Sequence, residues 1–170
     1  MIKQGTSEKL VKKVYLAIGS NLGNRILNIH KTKIQLFKNN IKILKSSGYY
    51  ESPSWPDPNF PKFLNIVLKI ETNFTEIELL YLCKKIEKFF GRKKTPKNSP
   101  RVCDIDILDY GQKITKKGIN LPHPRMHKRN FVLIPLFEID KKWKHPISKR
   151  CIKKLIFSLP NRDITSIKQI

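Results

Sequence analysis

Residues 63–71 read Phe63-Leu64-Asn65-Ile66-Val67-Leu68-Lys69-Ile70-Glu71. Leu64, Ile66, Leu68 and Ile70 fall on one side of an extended chain, and Phe63, Asn65, Val67 and Lys69 on the other. That period of two predicts a strand with one face on a core. Downstream, Thr75 and Glu78 form a capping-box pair that predicts a helix through Phe90. Its expected apolar stripe is Ile77, Leu80, Cys83, Ile86 and Phe90, and Gly91 is its expected stop. Residues 102–109 predict another strand. Upstream, 13–19 is a continuous apolar run closed by Gly19, the pattern of a central strand buried on both faces. Residues 24–40 carry Ile26, Ile29, Leu36 and Phe37 near helical spacing, and 41–50 predict a weaker strand. Between them and the opening stretch, Pro53, Pro56, Pro58 and Pro61 exclude both helix and central strand. The order is β-α-β-β-α-β, followed by a short helix from about residue 128 and a C-terminal helix over 148–159. Right-handed crossovers then place both main helices on one side of a four-stranded antiparallel sheet, the α+β, ferredoxin-like arrangement. The other sheet face is expected to be left for function.

The 170 residues have the length of one ordinary domain, and a hydrophobic fraction of 39% supports one packed core. No apolar run approaches the ~18 to 20 residues of a membrane span. Residues 1–13 lack the apolar stretch of a signal peptide. The expectation is a cytoplasmic protein with a flexible extension over 1–12 and a single domain over 13–170. Three cysteines, with no C-x-x-C pair, indicate neither a disulfide framework nor a zinc site. Thirty-five Lys and Arg against thirteen Asp and Glu give a net charge of +22. Two readings of that charge stay open: affinity for nucleic acid, or a lysine-rich composition spread over every solvated face. One stretch is denser, with Lys84, Lys85, Lys88, Arg92, Lys93, Lys94, Lys97 and Arg101 against the single acid Glu87. A local field of that kind attracts a nucleotide triphosphate as well as RNA.

Asp104 and Asp106 are two residues apart in the last main strand, so both carboxylates point to one face, with roughly 7 Å between Cα atoms. Cys103, Ile105 and Ile107 point towards the helices. The pair is either a solvated or lysine-bridged face, or a site for a hard cation such as Mg²⁺, which takes one or two carboxylates plus substrate phosphates. Arg101 stands at the mouth of the same strand with a guanidinium fork suited to phosphate. Arginine, spaced aspartates and a lysine-rich loop together read as a magnesium-nucleotide site. The run Pro122-His123-Pro124-Arg125-Met126-His127-Lys128-Arg129 lacks the H-E-x-x-H glutamate. Phosphate binding therefore suits His123 and Arg129 better than metal ligation. Neither G-x-x-x-x-G-K-[ST] nor G-x-G-x-x-G occurs, and the turn Gly19-Ser20-Asn21-Leu22-Gly23-Asn24 reads as structural.

Taken in order, residues 14–24 (Val-Tyr-Leu-Ala-Ile-Gly-Ser-Asn-Leu-Gly-Asn), Phe63-Leu64-Asn65, Pro100-Arg101-x-x-Asp104-x-Asp106-Ile107-Leu108, Pro122-His123-Pro124-Arg125-Met126 and Arg129-x-Phe131 resemble the 6-hydroxymethyl-7,8-dihydropterin pyrophosphokinase family of folate synthesis. The similarity runs over about residues 14–157. The resemblance implies a single pyrophosphokinase domain with a ferredoxin-like fold. It implies transfer of the terminal diphosphate of ATP to the pterin hydroxymethyl oxygen, with release of AMP. Asp104 and Asp106 would hold two Mg²⁺ ions, and Arg92 and Arg101 would be catalytic with them. Glu87, Lys94, Ile107, His123 and Arg129, together with Arg101, would bind ATP; Phe63, Asn65 and Phe131 would bind the pterin. No nucleic acid or membrane partner is implied, and association with other folate enzymes stays open.

This chain departs from the family pattern at Ser99, at Phe63 where tyrosine is usual, and at Lys84 where glutamine is frequent. A tryptophan common in the basic loop is also missing. The competing reading, an RNA-recognition module, requires an aromatic RNP pattern that the chain lacks.

Overall fold

The computed structural model describes residues 11–54, 57–92 and 99–170. The chain runs β1 (Lys12–Ser20), α1 (Arg25–Lys38), β2 (Lys42–Ser46), β3 (Tyr50–Ser52), β4 (Phe63–Thr72), α2 (Glu76–Phe89) and β5 (Asp104–Tyr110). After these come a 3₁₀ turn (Met126–Lys128), α3 (Asn130–Ile139), α4 (Ile152–Phe157), α5 (Asn161–Thr165) and β6 (Lys168–Gln169). All the pairings of the six-stranded sheet are antiparallel, in the order β5-β1-β4-β3-β6, with β2 also on β4.

The alternation of β4 resolves as expected. Leu64, Ile66, Leu68 and Ile70 enter a core with Val14, Leu16 and Ile18 of β1, Ile105 and Ile107 of β5, and the inner faces of α1 and α2. Each fully buried side chain of this size contributes about 1.5–3 kcal/mol. Asn24 caps α1 by accepting from the Leu27 N–H at 3.0 Å. Thr75 and Glu78 form both halves of the capping box on α2. The buried stripe of α2 is Leu79, Leu82, Cys83 and Ile86, joined by Glu87; Ile77, expected inside, is 45% exposed. The helix is rotated so that its last turn aims an acid, rather than an apolar side chain, at the edge of β5.

Three expectations are corrected. The strand expected over 41–50 is two strands, because the Ser47 hydroxyl takes the Val67 N–H at 2.9 Å and the Gly48 N–H turns to Glu138. Beyond that break β3 pairs with β4, and the C-terminal β6 adds to β3, so the sheet has six strands rather than four. The C-terminal helix is shortened to α4 because 144–151 forms a tight return, with a Lys144–Cys151 bridge and the His145 N–H on the Arg150 carbonyl. Finally, the second sheet face is not left open. Tyr15, Val67 and Leu108 pack there with Val132, Leu133 and Leu136 of α3 and with Ile152 and Leu155 of α4. Among the described residues, the end bearing Gly19, Asn65, Asp104 and Asp106 contributes none of the side chains of that second core. Among the described residues no helix is long and apolar enough to cross a membrane.

Candidate active site

Three neighbouring strands supply the floor. Gly19 of β1 pairs with Asn65 of β4 on one side and with Asp104 of β5 on the other. One step along, Ala17 pairs with Val67 and Asp106. A side chain at Gly19 would stand 3.1 Å from Asn65 Oδ1 and 3.3 Å from the Phe63 ring. Gly19 therefore lets Asn65 and Phe63 lean over the central strand, and the strip between them and the acid pair, called the trough below, has the acids as one wall and Phe63 and Asn65 as the other. The sequence reading assigned Gly19 to a structural turn and missed this; two small residues at i and i+2 in an otherwise bulky strand were the available signal.

On the acid wall, the strand parity holds. Cys103, Ile105 and Ile107 are buried in the helix-side core, while Asp104 and Asp106 keep 27% and 30% of their side chains accessible. Asp104 Oδ1 accepts from Arg101 Nη1 at 2.9 Å and from Arg92 Nη1 at 3.2 Å. Asp106 Oδ2 accepts from Arg129 Nη1 at 2.9 Å, with His123 Nε2 at 3.6 Å. Among the described residues, no hydrogen bond engages the second oxygen of either carboxylate. That donor set fits a hard cation: two accessible oxygens, two residues apart, in a cationic rim that also suits phosphate. No cluster of three or more His, Cys, Asp or Glu side chains that could hold a metal occurs among the described residues. A cation on the pair would therefore complete its shell with water or substrate oxygens.

The ionisation states follow from the same contacts. Burial opposes the charge on Asp106, yet His123 and Arg129 hold its carboxyl below the ordinary carboxylate range. Burial pushes His123 below its usual value, against the pull of Asp106. The Arg125 N–H donates to His123 Nδ1 at 3.2 Å, so the proton of the neutral ring sits on Nε2, facing the trough. Arg129 Nε is buried and has no hydrogen-bond partner among the described residues, and its guanidinium lies over the Phe131 ring at 5.4 Å. One face of Phe131 is thus already covered.

Glu87, Ile107 and Asn65 are buried more deeply than the acid pair. Glu87 is fully buried: Oε1 accepts from the Ile105 N–H at 2.9 Å, and Oε2 faces Lys84 and Arg92. Arg92, which also reaches Asp104, links its side chain to the acid pair. Ile107 is 4% exposed and packs in the core, which leaves its main chain, on the outer edge of the sheet, as its only ligand-facing part. Asn65 is 6% exposed and donates to Ser52 Oγ at 3.0 Å. Lys94 lies outside the described residues.

An accessible acid pair ringed by three arginines and a neutral histidine, beside an amide and two aromatic rings, has the chemistry to hold a magnesium polyphosphate next to a flat heterocycle. The sequence model of 7,8-dihydro-6-hydroxymethylpterin-pyrophosphokinase matches residues 15–141, and the chain belongs to that family. It is 43% identical over 142 residues to the 2-amino-4-hydroxy-6-hydroxymethyldihydropteridine pyrophosphokinase of Aquifex aeolicus, covering 83% of this chain and 88% of that protein. It is 37% identical over 155 residues to the folic acid synthesis protein fol1 of Pneumocystis carinii, covering 91% of this chain but 21% of that one. The wild-type HPPK-DHPS structure of Plasmodium falciparum superposes with a TM-score of 0.72 at 15% identity. That match covers 95% of this chain and 48% of that one, a likeness of fold.

Proposed function

We infer that this chain transfers the diphosphate of ATP to the hydroxymethyl group of 6-hydroxymethyl-7,8-dihydropterin and releases AMP, a step of folate synthesis. The family match over residues 15–141 carries the reading. In it, residues 13–170 act as one domain in the cytoplasm, with 1–12 as an extension. The sheet is a ferredoxin-like core, β5-β1-β4-(β2, β3), lengthened by β6. No nucleic acid is called for, and the acid pair in the trough would repel one. Fused relatives such as the HPPK-DHPS chain support association with other folate enzymes.

In this reading the triphosphate lies along Asp104 and Asp106, and the pterin lies against Asn65, Phe63 and Phe131. Two Mg²⁺ ions on the acid pair would neutralise charge at the β-phosphorus. Arg101 and Arg92 share one oxygen of Asp104, and that sharing leaves donors free for phosphate oxygens. Arg129 and the Nε2–H of His123 approach from the opposite side, and Lys94 adds charge from the basic loop. Glu87 contributes by fixing Arg92. The hydroxymethyl oxygen forms its bond to the β-phosphorus as the bond to the AMP oxygen breaks, and the hydroxyl proton passes to solvent. Among the described residues no side chain is assigned as a dedicated base, and positioning and electrostatics supply the rate. The test is AMP release from ATP in the presence and absence of the pterin and Mg²⁺. Release dependent on both is expected, and no pterin-dependent release would contradict the reading.

A further inference from the structure

The turn after β1 holds a residue that neither the sequence reading nor the mechanism uses. Asn21 is 3% exposed, and its hydrogen bonds run to the segments that flank the two walls of the trough, Arg101 ahead of β5 on one side and Ser54 and Pro61 between β3 and β4 on the other. Its side-chain Oδ1 accepts from the Arg101 N–H at 2.7 Å, and its own N–H donates to the Arg101 carbonyl at 3.1 Å. That two-way exchange resembles one more rung of the β1–β5 ladder, with a side-chain oxygen in place of a carbonyl. The other end of the amide points away from β5. Nδ2 donates to the Pro61 carbonyl at 3.0 Å and to Ser54 Oγ at 3.3 Å, and Ser54 Oγ donates to the same carbonyl at 2.7 Å. Ser54 and Pro61 form the neck of the Pro-rich segment. The chain leaves that neck at Ser52, which holds Asn65, and returns at Phe63.

We propose that Asn21 is a positioning residue that sets the arginine side of the trough and the heterocycle side at a fixed separation. The proposal rests on the functional reading above for what each side binds. Only an amide does this work: it accepts on one atom and donates twice from the other. Aspartate keeps the acceptor for Arg101 and loses both donors, so Asn21→Asp separates the two grips. Arg25 holds the outside of the same neck, with Nη1 on the Lys62 carbonyl and Nη2 on Glu51, so the segment loosens without detaching.

Two measurements on the full chain test this. The first is hydrogen–deuterium exchange of the ligand-free protein. Asn21→Asp should speed exchange over residues 57–63 and leave 99–103 unchanged, whereas Asn21→Ala should speed both. Equal acceleration of both segments by Asn21→Asp, or of neither, overturns the proposal, and this holds whatever the substrate. The second is steady-state kinetics with ATP and the pterin. Asn21→Asp should raise the pterin KM about tenfold, the scale of one or two lost hydrogen bonds, with kcat and the ATP KM within about threefold. A uniform loss in kcat and both KM values would mark Asn21 as merely structural. Ser54→Ala removes one link of the neck alone and should shift the pterin KM in the same direction by a few-fold. It carries the test if Asn21→Asp does not fold, and an unchanged pterin KM then overturns the proposal. Wild-type protein that releases no AMP contradicts the functional reading and leaves exchange to decide this one.

Discussion

β5 carries three aspartates in two environments. Asp109 is 1% exposed and saturated: Oδ1 accepts from the Gln112 N–H at 2.8 Å, and Oδ2 accepts from Gln112 Nε2 at 2.6 Å and Trp143 Nε1 at 2.8 Å. Its partners are one main-chain amide and two neutral side chains, packed beside α3. Asp104 and Asp106, five and three residues earlier, face long cationic side chains that engage one oxygen each. A buried carboxylate must have its oxygens satisfied on folding, and Asp109 is. The other two are satisfied by half. Their arginines can exchange a carboxylate for a phosphate at little cost, because both partners are anionic oxygens. An acid that completes the fold and the acids proposed to hold a ligand thus differ in the charge of their partners as well as in burial.

The comparison breaks most visibly with Asp106→Ala. Turnover to AMP should fall about 10³-fold or more, the scale of removing a group that organises charge in the transition state. The melting temperature should stay within a few degrees, and near-normal turnover would remove Asp106 from the site. Arg101→Ala is expected to lower kcat about 10²-fold while pterin affinity, measured by calorimetry, changes much less. Equal losses would mean that Arg101 only supports the fold. Asp109→Ala should do the reverse, costing about 2–3 kcal/mol of unfolding free energy for the stranded Trp143 and Gln112 donors, with kcat per folded molecule within a few-fold.

The smallest effect is on pH dependence. Burial holds His127 and His145 below the ordinary histidine value of 6.5, so on acidification the unfolded chain takes up protons that the folded chain refuses. Stability should therefore be full above about pH 6.5 and fall as pH drops through that value towards their lower folded ones. Asp140, held low by Tyr15 and Lys69 against the cost of burial, keeps its contribution until a more acidic range, below its ordinary value of 3.8. Thermal melts at pH 7.5, 6 and 5 read the first loss, and His145→Asn should flatten part of it. An unchanged melting temperature across that range would refute the assignment.

Much of this was legible in the chain because it is local. The β4 alternation, the capping box of α2 and the parity of Asp104 and Asp106 each depend on neighbours within four residues. What was not legible depends on distant partners. The split of β2 from β3 needs Val67 and Glu138 to capture Ser47 and Gly48. The covering of the second sheet face by α3 needs Tyr15, Val67 and Leu108 to present an apolar patch together. The burial of Glu87 against the Ile105 N–H and Arg92 cannot be read from its own helix. β6, two residues long, carries no period at all.

The central claim is that the two half-satisfied aspartates hold divalent metal beneath a nucleotide. It is tested most directly by titrating Mn²⁺, followed by electron paramagnetic resonance, into the protein with a non-hydrolysable ATP analogue. Wild type and Asp109→Asn should bind Mn²⁺ alike, and Asp104→Asn/Asp106→Asn should lose that binding. Undiminished Mn²⁺ affinity in the double variant would contradict the account.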